Sequence, residues 1–130
     1  MLIRIVCPEH CAYEGEAAFV VVPSTDGECG ILPKHANEIC TITDGYVRVC
    51  DKEMGTVDHT FAVGGGYAQI ADDTVIVLAE RAWDLADVDA EKVKVELQGF
   101  EDNLRNLSED DARRAYLYNE IAWCKLLLAK

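Results

Sequence analysis

The sequence predicts a two-layer β-sandwich followed by a pair of antiparallel helices. Residues 1–82 fall into short β-prone segments that turn residues separate at close intervals. After residue 86 the spacing of apolar residues changes from two to between three and four, which is typical of amphipathic helices. Half of the 130 residues are apolar, so the chain has enough apolar side chains for a core without disulfide bridges.

Seven segments are predicted as strands because they combine β-branched or aromatic residues with flanking turn residues. They are Met1–Cys7, Glu16–Val22, Glu38–Thr43, Tyr46–Asp51, Thr56–Val63, Tyr67–Ala71 and Thr74–Ala79. Asp44-Gly45 predicts a hairpin between two of them, and Asp72-Asp73 predicts another. The continuously apolar runs 17–22 and 75–79 indicate central strands that are covered on both sides.

The segment Gly27–Ala36 is predicted to be a shaped loop. It places two glycines, a proline and a single histidine around the apolar pair Ile31-Leu32. Such a loop, with its apolar pair anchored in the core, is suited to presenting a surface to a partner. Gly64-Gly65-Gly66 precedes a strand and not a helix, which favours a turn or bulge over a phosphate-binding loop.

Two helices are expected in the last third of the chain. The first carries an apolar stripe at Val93, Leu97, Phe100, Leu104 and Leu107. Asp87 or Asp89 is suited to cap its start, and Ser108 is suited to cap the second helix, about 109–129. The second helix has small residues at Ala112, Ala115 and Ala122 and a stripe at Leu117, Ile121, Cys124 and Leu128. These two surfaces predict contacts with the first helix and also with the sandwich or another protein.

Charge and composition exclude several classes of protein. The 24 acidic residues outnumber the 12 lysines and arginines, which disfavours binding to nucleic acid. No apolar run is long enough to span a bilayer and no secretory signal is recognisable, so a soluble cytoplasmic chain without direct membrane insertion is expected. The six cysteines are then predicted to be mainly buried thiols, Cys40, Cys50 and Cys124 among them.

Cys7, His10 and Cys11 form the arrangement that comes nearest to a metal site. Their spacing is not that of common zinc knuckles, and no second ligand pair follows at a usual distance. We therefore predict no metal site, and keep a cytosolic metal- or thiol-binding module that uses these three residues as the alternative function. No residue is predicted to be catalytic, because His35 has no nucleophile or base arranged with it.

Several ordered motifs resemble the epsilon subunit of bacterial F-type ATP synthase. These are Gly15-Glu16, Val22-Pro23, the segment 27–36, Asp44-Gly45-Tyr46-Val47-Arg48-Val49, Phe61-Ala62-Val63-Gly64-Gly65-Gly66 and residues 75–82. The resemblance implies a β-sandwich of ten strands in two five-stranded sheets, at residues 1–84, and a regulatory helical hairpin at residues 85–130. It implies a non-catalytic rotor subunit in ATP synthesis and ion transport, peripheral at the cytoplasmic face of the cell membrane.

The resemblance also implies partners and contact residues. Glu28, Cys29, Gly30, Ile31 and Leu32 match the part of the family loop that meets the ring of membrane c subunits. Pro33 and His35 match the side that meets the gamma subunit. The helices are expected to inhibit ATP hydrolysis by extending along gamma toward the catalytic alpha and beta subunits.

Some members of this family bind ATP on the helices through the motif Ile/Leu-Asp-x-x-Arg-Ala. This chain has Val88-Asp89-Ala90-Glu91-Lys92-Val93, so Asp89 remains while Lys92 replaces arginine. Lysine cannot make the bidentate contact of a guanidinium group. A weak regulatory ATP site with Asp89, Lys92, Arg113 and Arg114 is the resulting expectation, with no obligatory cofactor.

Overall fold

Residues 1–129 are described by a computed structural model, and this part of the chain forms eight strands and two α-helices. The strands are β1 (Leu2–Cys7), β2 (His10–Glu16), β3 (Phe19–Ser24), β4 (Gly27–Ile31), β5 (Glu38–Ile42), β6 (Gly45–Cys50), β7 (His59–Ala71) and β8 (Thr74–Asp84). A 3-10 turn at Leu85–Asp87 leads to α1 (Ala90–Arg105) and α2 (Arg113–Ala129). The chain divides into two compact units, Met1–Ala86 and a second that begins at Asp87.

The eight strands form one hydrogen-bonded network in the order β2-β1-β8-β7-β5-β3-β4, with β6 paired to both β3 and β7. Strands β1 and β8 run parallel, and the other pairs are antiparallel. β3 and β8 lie inside this order, as their apolar runs predicted. Their outward-facing residues Val21, Ile76 and Leu78 are nevertheless only half-buried.

Two long strands serve both layers of the sandwich. The first part of β7 pairs with β6 and its last part pairs with β5, while β8 follows β7 along both parts. The prediction of separate strands at 56–63 and 67–71 is therefore wrong, because one strand continues through the three glycines. The described residues form eight strands and not ten, although each layer contains five strands if β7 and β8 are counted in both.

Asp44-Gly45 does not form the predicted hairpin. β5 and β6 pair with successive parts of β7 rather than with each other, so the chain turns a corner between layers here. The Asp44 carboxylate accepts a hydrogen bond from the Gly65 backbone N–H at 2.8 Å, and the Thr43 N–H donates to the Pro23 carbonyl at 2.8 Å. These bonds fix the corner against β7 and β3.

The sequence prediction missed two strands. β2 was not among the predicted strands, and β4 occupies residues 27–31 of the segment predicted to be a loop. Pairing to β3 at every residue from Gly27 to Ile31 makes β4 a strand despite its low β propensity. The hairpin at Asp72-Asp73 is confirmed, since both residues have the positive φ angles, 52° and 59°, of a type I′ turn.

The core of the first unit is built from alternate residues of the strands. Ile3, Ile5, Val20, Val47 and Val75 are among the side chains with no exposed surface. Burying such side chains contributes roughly 1.5–3 kcal/mol each. Among the six free thiols, Cys40, Cys50 and Cys124 are buried as predicted.

The helical pair follows the predicted pattern with three changes, all in α2. Asp89 caps α1, because its carboxylate accepts the Lys92 backbone N–H at 3.3 Å. α2 begins at Arg113, four residues later than predicted, and the acceptor in its first turn is Asp111 instead of Ser108. Its buried stripe ends at Leu127 instead of Leu128.

Candidate functional site

The predicted contact segment begins on an edge strand. β4 is the last strand in the order and pairs only with β3 among the described strands, so one side of its backbone is free to meet another molecule. Glu28 points away from the core and accepts a 2.9 Å hydrogen bond from the Arg48 guanidinium on β6. The Arg48 guanidinium also lies 5.7 Å from the centre of the Tyr46 ring. Glu28 therefore belongs to a charged patch that spans three neighbouring strands.

A tight turn follows β4. The His35 N–H donates to the Leu32 carbonyl at 3.2 Å, which closes a four-residue turn with Pro33 at its second position. Lys34, at the third position, has a φ of 66°, as a type II turn requires. The Lys34 N–H donates to the Asp73 carboxylate at 3.0 Å, which fastens this turn to the turn between β7 and β8.

The predicted contact residues differ in exposure. Leu32 is 50% exposed and Pro33 is exposed, whereas Ile31 has no exposed surface and packs in the hydrophobic core. A Cβ on Gly30 would lie 2.8 Å from the Phe19 ring, so the absence of a side chain lets Phe19 cover the strand. Within this chain Ile31 and Gly30 support the surface, and Glu28, Leu32 and Pro33 present it.

Cys29 and Cys40 lie close together at one opening of the sandwich. Their sulfur atoms and a carboxylate oxygen of Glu38 all lie within 4.8 Å of one another. An open cavity of about 400 Å³ is lined by these three residues together with residues 24–28 and 39–41. Burial, followed by the nearby Glu38 carboxylate, raises the pKa of the Cys40 thiol to about 11. Cys40 is thus protonated at neutral pH and is no activated nucleophile.

His35 lies beside the same opening. Its Nε2 is 3.9 Å from a carboxylate oxygen of Glu38, and its Nδ1 is 2.7 Å from the Ala36 carbonyl oxygen. These contacts hold the imidazole against the turn.

An apolar strip on the outer face of the sheet was not predicted as a site. Ile39 on β5 is 71% exposed and Tyr67 on β7 is 50% exposed. Leu78 on β8 lies opposite Tyr67, and Ile76 follows on the same face, both half-buried. The signal in the sequence was the alternation of Ile39 with buried Cys40 and of Tyr67 with buried Ala68, which places both outward.

Cys7, His10 and Cys11 are not among the described residues whose ligand atoms are brought together as one group. Cys7 and His10 are cross-strand partners in the β1–β2 pair, but Cys7 is buried while His10 and Cys11 are exposed, and burial raises the pKa of the Cys7 thiol. The Cys11 thiol instead donates to the Tyr13 carbonyl at 3.3 Å. Among the described residues, the one group of three potential ligands brought together is Cys29, Glu38 and Cys40.

The candidate nucleotide-binding residues separate into two pairs. α1 and α2 pack against each other and are joined by a short connection at residues 106–112, so the two helices run antiparallel. The end of α1 and the start of α2 line the same cavity of about 330 Å³. Lys92 therefore lies at the far end of α1, about 20 Å from Arg113 and Arg114 at 1.5 Å of rise per residue. The four side chains do not meet at one ligand in this arrangement.

Both arginines at the start of α2 already have partners. Arg113 donates to Asp111 through Nε at 3.1 Å and Nη2 at 2.8 Å. Arg114 donates to the carbonyls of Leu104 and Leu107, both at 3.4 Å, and to the Tyr118 hydroxyl at 2.9 Å. The Arg114 bonds to the two carbonyls satisfy acceptors at the C-terminal end of α1 and link this end to α2.

Comparison with known proteins identifies the protein family to which the first unit belongs. Residues 1–84 match the family model for the β-sandwich domain of the ATP synthase delta/epsilon chain. The chain is 34% identical to the ATP synthase epsilon chain of Hyphomonas neptunium, over 92% of this chain and 87% of the relative. The chain is also 34% identical to the ATP synthase epsilon chain of Rhodospirillum rubrum, over 97% of this chain and 92% of the relative. The protein belongs to the ATP synthase epsilon chain family, whose members are non-catalytic subunits.

Solved structures agree at the level of the fold. A chain in the Euglena gracilis mitochondrial ATP synthase OSCP/F1/c-ring structure aligns with a TM-score of 0.78 at 21% identity, covering 99% of this chain and 79% of that chain. A chain in the Tetrahymena thermophila mitochondrial ATP synthase central stalk/c-ring structure aligns with a TM-score of 0.64 at 14% identity, covering 99% of this chain and 94% of that chain. Among the described residues, no helix combines the length and apolar character needed to cross a membrane.

Proposed function

We propose that this chain is the epsilon subunit in the central stalk of an F-type ATP synthase, where its sandwich joins the gamma subunit to the c ring. The observation that carries the proposal is the family match across residues 1–84, which includes the edge strand and turn described above. The relatives named above are ATP synthase epsilon chains, and the two solved structures contain a c ring. The subunit would then lie peripherally at the cytoplasmic face of the membrane.

The edge strand and its turn are suited to the c ring. Leu32 is exposed at the tip of the turn that follows β4, and Glu28 offers an exposed carboxylate further back along β4. The tip is fastened to the neighbouring turn by the hydrogen bond from the Lys34 N–H to the Asp73 carboxylate, which limits its movement. Cys29, Gly30 and Ile31 support it from the strand side.

The outer apolar strip is suited to gamma. Ile39 and Tyr67 expose large apolar side chains on one face of the sheet, and half-buried Ile76 and Leu78 extend the strip. Such patches on a sheet face mark protein interfaces. Pro33 and His35 lie in the turn just before β5, so the gamma contact and the c-ring contact adjoin.

Binding to a gamma-containing subcomplex tests this assignment. We expect the wild-type chain to bind an assembled alpha3-beta3-gamma complex with one copy per complex. Tyr67→Asp and Ile39→Asp should each weaken binding at least about tenfold, because they put a charge into an apolar interface. Met54→Asp, at a comparably exposed apolar side chain outside the strip, should bind as the wild type does. Equal affinity for all four proteins would contradict the gamma assignment.

The helical unit is proposed to restrain ATP hydrolysis. Tyr116 and Tyr118 on α2 and Val95 on α1 are each more than half exposed. α2 therefore has apolar surface beyond the stripe it buries, as an element with a second docking site on alpha and beta needs.

Truncation tests the inhibitory role. A chain that ends at Ala86 keeps the whole first unit and should still assemble with gamma and the c ring. ATP hydrolysis by the complex should then rise several-fold, whereas the full-length Met54→Asp complex should hydrolyse ATP at the wild-type rate. Unchanged hydrolysis after truncation would remove the inhibitory role and leave the rotor role intact.

Regulatory ATP binding stays a prediction. Asp89 caps the start of α1. Arg113 and Arg114 form hydrogen bonds where the two helices are connected, Arg113 with Asp111 and Arg114 with the Leu104 carbonyl. A nucleotide bound at the start of α1 would depend on Lys92, so Lys92→Ala should abolish it while Arg113→Ala should not. Equilibrium dialysis with labelled ATP distinguishes these outcomes.

A further inference from the structure

Two cysteines and a glutamate from separate strands meet at one opening of the first unit. Cys29 lies on β4, and Glu38 and Cys40 lie on β5 with one residue between them. Strand alternation directs Glu38 and Cys40 to the same side, and Cys29 shares the inward face of its strand with Ile31. The fold thus brings together residues that are nine and two positions apart in the sequence.

The spacing of the three ligand atoms suits a tetrahedral zinc ion. With zinc–sulfur bonds of about 2.3 Å, two sulfurs on a tetrahedral ion lie about 3.8 Å apart. The sulfurs of Cys29 and Cys40 and the Glu38 oxygen lie within 4.8 Å of one another, so small side-chain rotations close the site. Thiolates with a carboxylate form a donor set that zinc accepts, whereas magnesium and calcium prefer oxygen alone.

We propose that Cys29, Glu38 and Cys40 bind one zinc ion and leave the fourth coordination position open to the cavity. That cavity, about 400 Å³, is bordered by the polar residues of the β3–β4 turn, including Ser24, Thr25 and Asp26. Cys40 is 9% exposed, so it would hold the ion from the protein interior. Glu38 is exposed, so the ion would enter the site from solvent on the side of this carboxylate. His35, 3.9 Å from the Glu38 carboxylate, is placed to orient that ligand from outside.

A bound ion would link β4 directly to β5. These two strands flank the turn that contains Leu32 and Pro33, so the ion would fix both ends of the turn. Since the ligands come together only in the folded chain, zinc should raise the unfolding temperature. This inference does not depend on the proposed rotor function, because the site is complete within one chain.

Cobalt substitution tests the site in the isolated full-length protein, reduced and freed of metal. Co²⁺ should bind with one equivalent per chain and give thiolate-to-cobalt charge-transfer absorption together with the intense visible bands of a tetrahedral ion. Zn²⁺ should displace it, as measured by competition with a chromophoric chelator. Circular dichroism of each variant checks that it is folded.

Four variants locate the ligands. Cys29→Ser and Cys40→Ser should each reduce the charge-transfer band by at least half, because one of the two thiolates is lost, and weaken Zn²⁺ binding by at least about 100-fold, since even outer-shell changes cost 10–100-fold. Glu38→Gln, at an exposed position that cannot disturb the core, should weaken Zn²⁺ binding at least about tenfold. Cys11→Ser, an exposed thiol outside the cluster, should bind as the wild type does.

Two results would overturn the proposal. One is the absence of a stoichiometric thiolate-to-cobalt band in the folded wild-type protein. The other is a band that keeps its full intensity in folded Cys29→Ser and Glu38→Gln but loses at least half of it in Cys11→Ser, which would place the metal at Cys7, His10 and Cys11. If Cys40→Ser does not fold, the Cys29 and Glu38 variants still decide between these outcomes.

Discussion

A Cβ atom on Gly66 would lie 1.9 Å from the carbonyl oxygen of Leu78. Gly66 has a φ of 138°, a conformation that residues with side chains rarely adopt. It sits where β7 leaves its partner β6 and begins to pair with β5. The close approach of β7 and β8 at this point lets one pair of strands run through both layers of the sandwich.

Gly66→Ala should therefore destabilise the first unit severely. The added methyl group meets backbone atoms, which cannot rotate away, and the φ angle adds strain. Together these should lower the free energy of unfolding by roughly 3 kcal/mol or more. Denaturant titration measures the change. Gly99→Ala, on α1 with open space around it, is the control and should stabilise by about 1 kcal/mol. A Gly66→Ala protein as stable as the wild type would contradict the close approach.

Lys34→Gly should stabilise the contact turn. Lys34 holds a left-handed φ of 66° at the third position of the turn, and glycine adopts this angle without steric cost. Its backbone N–H, which donates to Asp73, is retained in glycine. We expect the free energy of unfolding to rise by about 1 kcal/mol. Lys34→Ala keeps the strain while removing the charge, so a similar gain in that variant would show that charge, not backbone strain, is responsible.

Asp111 should titrate well below an ordinary aspartate. Hydrogen bonds from the Arg113 side chain and backbone lower the pKa of its carboxyl group to about 2. Because the folded-state pKa is depressed, this stabilisation is present above about pH 4 and is lost as the pH falls through 2. Carboxyl NMR titration should give a pKa near 2 in the wild type and a higher value in Arg113→Leu. An unchanged value in that variant would contradict the pairing.

Much of the fold was predictable because local pattern and packing agree. The strand alternation from Ile3 to Ile5, the type I′ turn at Asp72-Asp73 and the cap at Asp89 all follow from neighbouring residues. β4 was missed because glycine, glutamate and cysteine have little strand preference, and only pairing to β3 makes them a strand.

The remaining differences arise from long-range packing. Asp44-Gly45 has the composition of a hairpin turn, yet β7 is long enough to pair with both flanking strands, and this pairing prevails. Long-range packing also explains why the cluster of Cys29, Glu38 and Cys40 was not predicted. Its members come from β4 and β5, which are not neighbours in the sheet order. Cys40 was predicted correctly to be buried, but its neighbours could not be read from the sequence.

Recovery of partners from membranes tests the central claim most directly. A tagged copy of the chain, expressed in its own source and purified in mild detergent, should carry both gamma and the c subunit in fixed proportion. Tyr67→Asp should lose gamma preferentially, and Leu32→Asp should lose the c subunit preferentially, while Met54→Asp retains both. Recovery of the wild-type chain without either subunit would contradict the account.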